Sequence, residues 1–121
     1  MKQRILVSLM FLVCCAGANA QSEYYMNQAE KYMKEAEYYD RQAEKYERDA
    51  DGYNRQAQRY LRDAESYSRQ NKHDRARTYT KWAKDETEKA HLRMKWASEA
   101  RGKADQRRKW AQDALRKAQR K

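Results

Sequence analysis

The stretch EYYMNQAEKYMKEAEYYDRQAEKYERDADGYNRQAQRYLRDAESY, residues 23–67, decides how this chain folds. Within it alanine recurs every seven residues, at 29, 36, 43, 50, 57 and 64. Tyrosine keeps the same interval at 25, 32, 39, 46, 53, 60 and 67. A residue repeated at that spacing returns to one face of an α-helix, and a residue three positions on lies beside it. A strand, with side chains alternating between faces, would scatter the same residues over both. Written as a heptad with Ala at a and Tyr at d, the unit reads roughly Ala-Glu-Lys-Tyr-x-Arg-Gln. A period of fourteen runs beneath it, because the residue before each alanine alternates Gln28, Glu35, Gln42, Asp49, Gln56, Asp63.

The second half continues the alanine heptad at 76, 83, 90, 97, 104, 111 and 118. Here the preceding residue alternates Trp82, Lys89, Trp96, Lys103, Trp110, Lys117, again with a period of fourteen. Ala64 and Ala76 are twelve residues apart, which is not a whole number of heptads. The phase therefore breaks once, in the polar stretch from Ser68 to Asp74. Asn71 suits the left-handed residue that ends a helix, and Asp74 suits the cap of the next. The segment from Tyr67 to Ala83 resembles the turn of a tetratricopeptide helical hairpin, with Asn71 in place of the usual glycine. That likeness covers one hairpin only and implies an antiparallel helix pair. The alanine seam resembles the close-packed, alanine-based antiparallel coiled coils.

These observations predict an all-α chain, a long antiparallel hairpin with an alanine–tyrosine seam. The expected boundaries are a leader over 1–20, a first helix over 21–70, a turn over 71–75 and a second, basic helix over 76–121. Across the seam Glu35, Asp49 and Asp63 are expected to meet lysines, with the glutamines over tryptophans. Two helices meeting along one seam leave most of their surface wet, so a homo-oligomer is expected. Composition agrees with the class. After Ala20 there is no Val, Ile, Phe, Pro or Cys, and Leu occurs only at 61, 92 and 115. Strands are built from β-branched and aromatic residues in alternation, which is absent. High charge with low hydropathy would suit a disordered chain, but disorder does not require a periodic sequence.

The first twenty residues differ from all the rest. Lys2 and Arg4 precede the apolar run Ile5 to Ala16, and Ala18-Asn19-Ala20 places small residues where a signal peptidase reads. The run is well short of the ~20 apolar residues a spanning helix needs. Cleavage would leave Gln21 as the N-terminus and send the chain to the periplasm or outside the cell. Cys14 and Cys15 fall within the leader, so the exported chain has no cysteine for disulfide or thiolate chemistry.

Residue patterns for catalysis are missing, and the chain is expected to be no enzyme, with no cofactor and no metal. His73 and His91 lack ligand spacing around them. No serine sits in a nucleophile elbow and no glycine-rich loop could cradle a phosphate. The carboxylates alternate with Lys and Arg at helical spacing, as on an ion-paired, solvated face. The tyrosines read as packing residues with hydroxyls at the helix edge rather than as redox groups.

Charge gives the main indication of partners. Residues 21–70 hold nine basic and eleven acidic residues, whereas 71–121 hold seventeen basic and seven acidic. Such a field draws anionic lipid, lipopolysaccharide or acidic protein, and in an exported chain these rank above nucleic acid. The residues expected to contact an anionic ligand are Arg101, Lys103, Arg107, Arg108, Lys109, Trp110, Arg116 and Lys117. The function expected is a non-catalytic scaffold or binding protein of the bacterial envelope. Two rival expectations stand beside it: a membrane-active cationic protein that permeabilises, and a basic periplasmic holdase chaperone.

Overall fold

A computed structural model of the chain describes residues 16–120. Two long helices pack against each other as a hairpin: α1, Ala16–Arg69, and α2, His73–Gln119. No strand occurs among the described residues. The leader expected over 1–20 lies largely outside them; from Ala16 onward the backbone belongs to α1.

The turn takes only Gln70, Asn71 and Lys72, so α2 begins three residues before the expected start at 76. Asn71 adopts φ 64°, the left-handed conformation anticipated for it. Around it Lys72 N–H donates to the Tyr67 carbonyl at 2.9 Å and Asn71 N–H to Ser68 at 3.0 Å. These two bonds satisfy carbonyls left over at the end of α1, in the Schellman arrangement. At the start of α2 the Lys72 carbonyl accepts from Ala76 N–H at 3.1 Å. Lys72 therefore holds the capping position expected for Asp74. Asp74 instead stands inside the first turn, where it pairs with Arg77 and its charge complements the helix dipole.

The chain forms two compact units, each with a segment of both helices. The terminal unit takes α1 through Glu37 with α2 from Ala104 onward, and the turn unit takes Tyr38–Lys103. In the terminal unit Ala29, Ala111 and Ala114 cluster with Tyr32 against them. Ser22 Oγ donates to the Ala118 carbonyl at 3.2 Å in the same unit. The turn unit repeats the cluster with Ala43, Ala97, Ala100 and Tyr46.

Every buried side chain among the described residues is an alanine. All six first-half heptad alanines are buried, as are those at 83, 90, 97, 104, 111 and 118. Ala76, in the first turn of α2, is only half-buried. One buried methyl contributes about 0.8 kcal/mol, so the seam gains its stability by length and by the half-buried tyrosines along its edge. Gly52 lies off this seam, and a Cβ there would meet nothing within 4 Å. Gly52→Ala should therefore stabilise the chain by about 1 kcal/mol through helix propensity alone. Thermal melting followed by circular dichroism measures this; a lowered midpoint would mean the site needs glycine for another reason.

Candidate functional site

The tyrosines of α1 face an alternating series on α2. In the terminal unit Lys117 lies over the Tyr25 ring at 5.7 Å, and Tyr32 meets Trp110 edge to face at 5.4 Å. In the turn unit Lys103 lies over Tyr39, Tyr46 meets Trp96 at 5.5 Å, Lys89 lies over Tyr53, and Tyr60 meets Trp82 at 5.6 Å. Arg75 over Tyr67 at 5.7 Å completes the series beside the turn. Within each unit, seven residues forward on α1 correspond to seven residues back on α2, as antiparallel packing of two heptads requires. Edge-to-face aromatic pairs contribute about 0.5–1.5 kcal/mol beyond their buried area, and exposed cation–π contacts about 0.5–1 kcal/mol.

This pairing departs from the acid–lysine pattern expected across the seam. The lysines at 89, 103 and 117 lie over tyrosine rings. Glu35 finds an arginine instead, Arg107, whose Nε donates at 2.8 Å. The three-residue turn is the physical reason, because its length sets which positions of α1 and α2 come opposite.

The eight residues expected to meet an anionic ligand divide between the units. Arg101 and Lys103 belong to the turn unit, the other six to the terminal unit. Arg101 grips Glu47 with two hydrogen bonds, 2.9 and 3.1 Å, and has Asp40 at 3.7 Å. Arg107, besides pairing with Glu35, stacks on the Trp110 ring at 4.6 Å. Arg108 pairs with Asp105 at 2.7 Å, and Arg116 pairs with Asp113. Lys109 and Trp110 are exposed, Trp110 to 39 %. Arg101 and Arg107 thus serve the fold by bridging the helices within their units. Arg108, Lys109, Trp110, Arg116 and Lys117 lie closer to solvent.

The bidentate bond from Arg101 holds the Glu47 carboxyl below the usual carboxylate range, with Coulombic attraction assisting and desolvation opposing. The Arg101 guanidinium pKa is correspondingly raised, chiefly by the hydrogen bonds it donates to Glu47. Because Glu47 is lowered on folding, its contribution is present above the unfolded carboxylate value of about 4.3 and fades as pH falls through the folded one. Glu47→Gln should lower the melting midpoint only slightly at pH 7, because solvent screens so exposed a pair. Only in acid well below the folded Glu47 value, where the carboxyl is protonated in both folded and unfolded chains, should wild type and variant melt together. A gap that persists in acid would mean Glu47 acts through packing.

Beside the ladder lie two recesses of equivalent construction. In the terminal unit, Tyr24, Gln28 and Tyr32 of α1 and Trp110, Asp113 and Lys117 of α2 line about 360 Å³. In the turn unit, Tyr38, Gln42 and Tyr46 with Trp96, Glu99 and Lys103 line about 330 Å³. Each α1 member of one stands fourteen residues from its counterpart, and so does each α2 member. The outer wall is a tyrosine that leans edge-on against its chain neighbour, Tyr24 on Tyr25 at 5.2 Å and Tyr38 on Tyr39 at 5.3 Å. Gln28 Nε2 donates to the Tyr24 hydroxyl at 3.2 Å. Buried Ala114 and Ala100 form the floors. Sequence reading missed these recesses, although the repeated Glu-Tyr-Tyr at 23–25 and 37–39 carried the signal.

Among the described residues no group of three or more His, Cys, Asp or Glu side chains could hold a metal ion. His73 and His91 are both exposed. No described helix is long and apolar enough to cross a membrane. No family model, curated protein or solved structure matches this chain.

Proposed function

We propose that this chain is a non-catalytic, exported scaffold or binding protein of the bacterial envelope, self-associating and contacting anionic polymers or lipid through α2. The charge asymmetry carries the reading. Seventeen basic residues oppose seven acidic ones after residue 70, against near balance before it. Lys109 and Trp110, consecutive on α2, are both exposed, one offering a charge to a phosphate and the other a ring to a lipid interface. The leader-like segment over 1–20 supports the envelope as the setting, with the cut before Gln21 leaving a chain free of cysteine.

Co-sedimentation with phosphatidylglycerol vesicles and with lipopolysaccharide tests the reading directly. Binding at low ionic strength that falls steeply with added salt is expected. A wild-type protein that ignores both at low salt would overturn it. Exposed Trp82 and Trp110 favour a second reading, in which the same surface disorders the bilayer. Dye release from the loaded vesicles separates the two, because adsorption alone leaves the dye inside.

A further inference from the structure

We infer that the two equivalent recesses each seat a pyranose ring of a neutral glycan. This goes beyond the basic-arm reading and asks for a different ligand, although Lys103, Trp110 and Lys117 belong to both.

Packing does not account for the outer wall. Tyr24 and Tyr38 are 56 % and 51 % exposed, so they add little to the seam. The third fourteen-residue copy shows that the fold does without them, for Gly52 stands at the equivalent position in ADGYNRQA. That copy also has Glu86 where the recess floors have Ala100 and Ala114. The wall and the open floor are thus present together twice and altered together once, while the polar set recurs in the third copy as Gln56, Asp85 and Lys89.

The lining selects the ligand class. Tyr24, Tyr32 and Trp110 offer apolar ring surface, which suits a flat face of C–H groups. Around them stand one amide, one carboxylate and one ammonium: Gln28, Asp113 and Lys117. The turn unit supplies the same set as Gln42, Glu99 and Lys103 around Tyr38, Tyr46 and Trp96. The lining of each recess holds one acid and one base and so carries no net charge of its own. It offers both donors and acceptors, as a ring of hydroxyls requires. A pyranose combines an apolar face with a hydroxyl rim. A phosphate would meet the carboxylate of Asp113 or Glu99.

The test uses the full-length exported chain and three neutral probes: chitohexaose, cellohexaose and mannohexaose. Tryptophan fluorescence should change saturably with at least one of them, equally at 50 mM and 500 mM NaCl. The double variant Tyr24→Ala, Tyr38→Ala should lose about tenfold in affinity while keeping the wild-type circular dichroism and melting curve. Met33→Ala, an exposed residue outside both recesses, should bind as wild type does. No saturable response to any of the three probes overturns the proposal, and so does binding that ignores the double tyrosine variant. Binding confined to lipopolysaccharide and abolished by salt also overturns it and leaves the basic-arm reading standing. Loss of self-association in the tyrosine variant, by analytical ultracentrifugation, without any glycan response would assign the recesses to a second copy of the chain instead.

Discussion

Ala43→Leu should lower the thermal midpoint by about 5 °C or more, while Glu44→Leu, one residue away, should leave it nearly unchanged. Ala43 is fully buried and packs in one cluster with Ala97 and Ala100, its edge covered by Tyr46. Leucine adds three carbons where the opposing helix leaves no space, and overpacking of this kind costs about 1–3 kcal/mol. For a chain of this size each kcal/mol moves the midpoint by about 4–8 °C. Both substitutions favour helix, so propensity does not separate them. Glu44 points into solvent, which makes it the matched control. Ala57→Leu and Ala97→Leu should behave as Ala43→Leu does. Equal shifts at 43 and 44 would mean that the alanines do not face another helix.

The second large effect concerns charge. Arg108→Glu with Lys109→Glu should weaken adsorption to phosphatidylglycerol vesicles by about thirtyfold or more at low salt. A basic residue near an anionic surface contributes about 1 kcal/mol, and each reversal adds repulsion to that loss. Arg107 is left unchanged in this variant because its pair with Glu35 belongs to the fold. Changing it would mix lost binding with lost stability. The comparison is Arg41→Glu with Arg48→Glu, two exposed residues on the near-neutral α1. That variant carries the same formal charge change and should retain most of the affinity. If the two variants adsorb alike, placement is irrelevant and the basic arm serves only to keep the protein soluble.

How much of this was legible in the sequence varies from residue to residue. The seam was, because a seven-residue alanine period has only one helical interpretation, and the heptad alanines from 29 to 64 are buried as that period demands. The single phase break located the turn, and Asn71 was identified as its left-handed residue. Turn length was not legible. Lys72, with no capping side chain, takes the position Asp74 was expected to fill, and α2 starts early. Register depends on that length, so the partners of Glu35 and of the lysines could not be read before the hairpin was seen. Ala100 and Ala114 escaped notice because they fall outside the heptad. Each follows a heptad alanine by three residues, which widens the buried stripe beside Trp96 and Trp110. The basic arm was visible as composition. That Arg101 and Arg107 would be committed to Glu47 and Glu35 was not, since both acids are remote in the chain.

The alternation of tryptophan and cation against the tyrosine ladder also governs how such a gene can change length. Losing seven codons from one arm keeps its alanines in phase but sets tryptophans where lysines belong on every rung beyond the cut. Losing fourteen from one arm keeps both patterns yet leaves the other arm with a piece that has no counterpart. Only a paired deletion or duplication, fourteen codons on each side of the turn, preserves every rung. The molecule can therefore be lengthened or shortened in whole steps, each a matched pair of coding segments, and each step of full sequence would carry one more copy of whatever its recess holds.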